Sequence, residues 1–332
     1  MNKVSFRVIL LASVVLFLSS WGFLVHRTVH QLAVYHLPKP MQPFFYKSMN
    51  YLVENAPRPD LRRNQDSTEA PKHFIDLEAY GDSAAWKMPA KWEDAARIYS
   101  KDSLIKYGYV PYQIITIKNK LTEAFKAMDD DSILFYATDL GHYIGDANVP
   151  LHTTLNYDGQ LSNQKGLHSL WESMVPEIEI EQYNLYSNHK AQYISNPEQA
   201  VWDCIRRSHI LLKDVFGKEI EATAGFVDST KYRVQVRRGR EVKSYTPAFA
   251  KSYSKLLGRT INDQLLNSAN MIADFWYTAW VDAGKPDLSR LLIERYEKAD
   301  KQTYKLEYKA WKKNQLLEKK LLIARKQAPE QF

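Results

Sequence analysis

The 332-residue sequence predicts a mainly all-α, multi-helix globular domain with one small inserted β-hairpin. Three observations predict it. Apolar residues recur at helical spacing through most of the chain, and segments alternating with period two are few. The one clear alternation, over about 232–245, flanks an Arg-Gly-Arg turn, the pattern of a hairpin.

In chain order, Val29–His36 is a short apolar-rich segment stopped by Pro38 and Pro40, and Phe44–Glu54 is another, ended by Ala56-Pro57-Arg58-Pro59. Pro111–Met128 carries Ile114, Ile115, Leu121, Phe125 and Met128 at helical spacing. Helices are then expected over Ser132–Asp146, Leu167–Met174, Glu198–Phe216 and Arg259–Asp282, the last interrupted on one face by Asn267, Asn270 and Asp274. Gly284-Lys285-Pro286-Asp287 reads as a helix stop, and the charged tail beyond Arg290 as a solvated, helix-prone terminal segment.

The first twenty residues read as a signal peptide: Lys3 and Arg7, an apolar run from Val8 to Leu18 broken only by Ser13, then Ser19-Ser20. That run is too short to span a bilayer as a mature helix, although a retained anchor is the competing assignment. The expected organisation is therefore residues 1–20 as leader, 21–287 as the main domain and 288–332 as a basic extension, in a protein exported to the periplasm or the medium. Cys204 is the only cysteine, so no internal disulfide is available, and its setting suggests a buried helix residue. The formal charge of +7 falls to +5 without Lys3 and Arg7, and the tail from Arg290 supplies +6 of it. A body near neutrality argues against a broad polyanion-binding surface there. The tail could contact a membrane surface, and no obligate protein partner is evident.

The chemistry concentrates in Asp139-Leu140-Gly141-His142-Tyr143-Ile144-Gly145-Asp146-Ala147-Asn148-Val149-Pro150-Leu151-His152. His142 and Asp146 are four apart, on one helix face, where both can hold one metal. His168 and Glu172 repeat that spacing sixteen residues beyond His152. Upstream, His73 lies in Lys72-His73-Phe74-Ile75-Asp76, and His26 follows Trp21 by five residues. A leader cut after Ser20 would expose the amino group and carbonyl of Trp21, which can close a five-membered chelate on zinc.

In these motifs the chain resembles the exported trinuclear-zinc hydrolases: the zinc-dependent phospholipases C and the single-strand-specific zinc nucleases. An N-terminal Trp, an early His, an isolated Asp, His-Phe-x-Asp, His-x-x-x-Asp-x5-His and a final His-x-x-x-Asp/Glu occur in that order. The resemblance implies a phospholipase C/nuclease-type helical domain with three zinc ions. Asp60, His73, His142 and Asp146 would hold the first, and His152, His168 and Glu172 the second. Trp21 and His26 would hold the third, with Asp146 bridging. Asp60, with Asp66 and Asp76 as competitors, could also accept a hydrogen bond from the attacking water as a catalytic carboxylate. Phe74 and Asp76 match base-binding positions of the nucleases. Water held between two zinc ions loses a proton near neutral pH and becomes a nucleophile for phosphodiesters.

Substrate signals conflict. The Trp21–His26 interval matches nucleases, while Glu172 and the short interval from His152 to His168 match phospholipases. The expectation leans slightly to phospholipase-C-like cleavage of phospholipid head groups. A single-strand-specific endonuclease or nucleotidase is the alternative, and a non-catalytic zinc-binding helical protein a further one.

Overall fold

The computed structural model describes residues 22–237, 240–292 and 296–326. The expected leader and Trp21 lie outside them, as do the two turn residues 238–239 of the hairpin. Within them the architecture is helical, with one two-stranded antiparallel sheet.

Four long helices make the frame: α1 (Phe23–His36), α2 (Val110–Ala127), α3 (Asp130–Ala147) and, later in the chain, the 23-residue Thr260–Asp282. The Thr260–Asp282 helix and α3 each pack on α1, on α2 and on each other. Their shared core centres on Trp276, fully buried, whose indole N–H donates to Ala137 O at 2.9 Å and whose ring stacks on Phe45 at 4.9 Å. Asp129 caps α3 by accepting from Ser132 N at 3.1 Å, and Asp130 and Asp131 place negative charge in its first turn. Both features favour a helix starting there. It ends at Asn148, and Pro150 opens a short 3-10 turn, Pro150–Thr153, as the proline predicted.

Several expected helices differ in extent. The first begins at Phe23 rather than Val29, so it includes His26. The Phe44–Glu54 segment is two helices, Gln42–Lys47 and Met49–Asn55, hinged at Ser48. Glu198–Phe216 is likewise two, Pro197–Ile210 and Leu212–Thr223, because Leu211 N turns to Ser208 O in a tighter step. Leu167–Met174 begins as α-helix and widens into a π-helical turn over Leu170–Met174. The hairpin pairs Tyr232–Arg237 with Arg240–Tyr245, as the alternation predicted. Cys204 is buried. No helix among the described residues is long and apolar enough to cross a membrane.

The tail is a mostly exposed helix over Lys298–Lys312, as expected, but the end of that helix and the residues after it fold back on the body. Trp311 is buried and donates to Leu185 O at 2.7 Å, and Leu316 and Leu322 are buried beyond it. Gln31 on α1 binds both Leu321 O and Ile323 N, at 2.9 Å each. The polar interruptions on Thr260–Asp282 have a related use. Asn270 accepts from Ser187, and Asp274 meets both His189 Nε2 and Gln192 N at 2.7 Å, tying down the irregular 184–194 segment.

Candidate metal centre

Two glycines set the distance at which the site is built. A Cβ on Gly141 would lie 2.4 Å from His30 Nε2, and one on Gly145 would lie 2.9 Å from His26 Nδ1. Only hydrogen at these positions lets α3 close on α1. The closure stacks the His26 and His142 rings at 4.1 Å between centroids.

Around that contact the structure gathers eight of the nine expected metal ligands. His142 and Asp146 project from one face of α3, with Nε2 and Oδ2 3.3 Å apart. His73 Nδ1 reaches the same oxygen at 3.0 Å. Asp60, on the short helix Arg58–Arg62, places Oδ1 3.6 Å from His73 Nδ1 and 3.8 Å from His142 Nε2. His26 Nε2 stands between Asp146 Oδ1 at 3.6 Å and Glu172 Oε1 at 3.8 Å. His152 Nε2 and His168 Nε2 approach to 2.9 Å, with Glu172 Oε2 2.7 Å from His168 Nε2 and 3.5 Å from His152 Nε2. Asp146 thus faces one group through one oxygen and His26 through the other.

The donor chemistry fits cations. His142 Nδ1 meets Ala56 O at 2.9 Å and His152 Nδ1 meets His73 O at 2.9 Å. A carbonyl can only accept, so each Nδ1 carries the hydrogen and each Nε2 presents a lone pair inward. His73 Nε2 has no hydrogen bond but looks at the buried Glu69 carboxylate, 3.5 Å away. Its Nδ1 faces both Asp146 Oδ2 at 3.0 Å and His142 Nε2 at 3.1 Å. Two acceptors converging on one atom call for positive charge there, which a proton on His73 or a bound cation supplies. Three groups of ligand atoms converge within 4.8 Å: His26, His142 and Asp146; Asp60, His73 and His142; and His152, His168 and Glu172. Nitrogen and carboxylate donors without thiolate suit zinc.

The electrostatics agree. Burial pushes His142 well below an ordinary imidazole. Burial also opposes charge on Asp146, yet His142 and His73 hold it ionised below the usual carboxylate range. His73 is raised to about 9, because Asp146, Glu69 and Asp60 together overcome its burial. Asp60 is raised, by burial and by the charge of Asp146. Its side chain is 27% exposed, against 2% or less for His73, His142 and Asp146, so it forms the solvent rim of its group. Of the competing carboxylates, Asp66 instead bonds Thr68 and lies 3.9 Å from Lys72, and Asp76 joins none of the three groups.

Phe74 and Asp76 follow His73 along an irregular stretch held by Ile75 N to His152 O and Asp76 N to Tyr107 O. Phe74 is half-buried against Gly108, where a positive φ of 82° and a 2.3 Å approach of Phe74 O to a hypothetical Cβ both require glycine. Asp76 is raised to about 7 by burial and Glu78.

Sequence reasoning missed a charged network behind His73. Glu69 is fully buried and takes hydrogen bonds from Arg62, from Lys72 at 2.6 Å and from the Tyr143 hydroxyl. Although burial opposes its charge, these donors and His73 hold it well below the usual carboxylate range. Arg62 and Arg58 also bond Asp139, at 2.9 and 2.6 Å. A signal existed: Glu69 and His73 are four apart, the same spacing that marked the two later pairs.

A family model described as S1/P1 Nuclease matches residues 21–275. A search of curated proteins returns no match. The match falls on the nuclease side of the resemblance, so the slight lean to phospholipase gives way to its alternative. The chain belongs to the S1/P1 nuclease family, within the superfamily of zinc-dependent phospholipases C and nucleases, and is a phosphodiester hydrolase.

Proposed function

We propose that this protein is a zinc-dependent nuclease that cleaves single-stranded nucleic acid. The family match over residues 21–275 carries that substrate class, and the three converging ligand groups support the metal dependence. Asp60, His73, His142 and Asp146 would hold one zinc, and His152, His168 and Glu172 a second. His26 and Trp21 would hold a third, shared with Asp146. Trp21 serves in this scheme once export has removed the leader. A Cβ on the adjoining Gly22 would lie 3.8 Å from Glu172 Oε1, so the residue next to Trp21 lies close to the centre.

Bound zinc supplies Lewis acidity, lowering the pKa of water and offsetting charge on the phosphate oxygens. The protein's own groups do the rest. Asp60, at the rim and with a raised pKa, accepts a hydrogen bond from the incoming water and orients it toward phosphorus. The burial of His73, His142 and Asp146 keeps the donor set dry and oriented. The Phe74 ring offers a stacking face, and the Asp76 carboxyl a hydrogen-bonding partner for a base. The test is incubation of the purified mature protein, with zinc, on single-stranded DNA and on phosphatidylcholine liposomes. Mononucleotide release is expected. Diacylglycerol release without mononucleotides would overturn the proposal.

A further inference from the structure

At the far end of α1 from His26, a groove of about 1240 Å³ opens between the start of the Gln42–Lys47 helix, the 189–191 loop and the folded-back tail. Ten residues separate His26 from His36, so the groove begins about 15 Å along the helix axis from the metal centre. It exceeds the roughly 300–1,000 Å³ of pockets that hold one small molecule. Four lysines border it, Lys39, Lys190, Lys301 and Lys305, and all four are exposed. Three half-buried tyrosines, Tyr296, Tyr304 and Tyr308, line it as well. Among the described residues no carboxylate lines it. Of the nearby acids, Asp300 lies 3.5 Å from Lys47, and Glu307 accepts from the hydroxyl of Tyr35, itself a lining residue, at 3.3 Å.

We propose that this groove is a second binding site, for single-stranded nucleic acid, that holds a strand while the metal centre cuts elsewhere along it. The inference rests on the nuclease reading for the identity of the polyanion. The argument is charge complementarity joined to ring faces. Exposed lysines over a surface on which no described residue is a carboxylate attract a phosphate backbone and release its counterions. Tyr304 and Tyr308 stack on each other at 5.6 Å with planes 30° apart, and Lys301 sits 5.9 Å from the Tyr296 ring centre. Aromatic faces beside cationic side chains form the usual platform for unpaired bases, whereas an anionic membrane surface needs the charge but not the rings. Seven of the seventeen lining residues lie in the tail beyond residue 288, outside the span of the family match, so the tail completes a groove whose other wall belongs to the matched domain.

The test uses the full exported protein with Lys39→Gln and Lys305→Gln together, two exposed changes whose fold is checked by circular dichroism and melting temperature. Binding of a fluorescent 20-nucleotide single strand is followed by anisotropy on an Asp60→Asn background that suppresses cleavage. Neutralising two phosphate contacts should lower the slope of log K against log salt by about 1.4, and weaken binding roughly 10–25-fold at 0.1 M salt. In the active protein, KM for a long strand should rise while hydrolysis of bis-p-nitrophenyl phosphate stays unchanged. Binding within twofold of the parent would overturn the proposal. So would a loss confined to phosphatidylserine vesicles, or an equal loss on vesicles and strand, as a mere change of net charge would give. Failure of the nuclease reading shows up separately, as absent cleavage of any nucleic acid, and leaves the anisotropy result to judge the groove.

Discussion

Replacing Glu69 with Gln would test whether the buried carboxylate behind His73 positions that imidazole. The change keeps the shape and removes the charge. Glu69 is fully buried, while Arg62 is 26% and Lys72 19% exposed. Removing one partner of a buried ion pair costs about 3–5 kcal/mol. Arg62 keeps Asp139 at 2.9 Å, and both cations reach water, so a loss of about 2–3 kcal/mol is the better expectation. For a chain of this size that lowers the melting temperature by roughly 3–5 °C. Carboxylates that orient a metal-bound histidine are worth about 10–100-fold in metal affinity. Competition with a zinc chelator, read on folded protein at 20 °C, should show that weakening. Lys72→Gln is the control: Lys72 meets only the outer oxygen, Oε2, so zinc affinity should stay within about twofold. Unchanged zinc affinity in Glu69→Gln, or equal weakening in both variants, would refute the reasoning.

Gly141→Ala should destabilise by about 1–3 kcal/mol through overpacking against His30, although helix propensity alone favours alanine by about 1 kcal/mol. Urea unfolding decides the sign. Asp146→Asn should lose at least one zinc per chain by elemental analysis, because both carboxylate oxygens face histidines, and bis-p-nitrophenyl phosphate hydrolysis should fall to background. His36, remote from the metal centre, is lowered to about 4 by burial, outweighing the hydrogen bond to His189 O. Its folded pKa is depressed, so its contribution is full above pH 6.5 and is lost as pH falls toward 4. Between pH 7 and 5 that amounts to about 2 kcal/mol, which urea unfolding of His36→Asn should fail to show.

The fold and much of the centre were legible because both rest on short-range spacing. The 111–128 helix shows its buried face as Ile114, Leu121 and Phe125, and Asp129 marks the start of the next helix. His142 with Asp146, and His168 with Glu172, were visible because four residues are about one helical turn. What stayed hidden depends on contacts distant in sequence. Nothing local marks the hinges at Ser48 and Leu211, neither of which carries Gly or Pro. Trp311, Leu316 and Leu322 looked irregular because the helix stops at Lys312 and the later residues meet α1 from turns. The use of Gly141 and Gly145 appears only when α1 lies against them. Glu69 shared the legible spacing, but its value depends on Arg62, Lys72 and Tyr143 converging on it.

Zinc-dependent release of nucleotides bears most directly on the central claim. The purified protein is stripped with a chelator, assayed on single-stranded DNA, and assayed again as zinc is returned, with bound metal counted at each step. Cleavage should vanish with the metal and return as zinc refills the site. Full cleavage by the stripped protein, or a zinc-loaded protein that leaves both DNA and bis-p-nitrophenyl phosphate intact, would contradict the account.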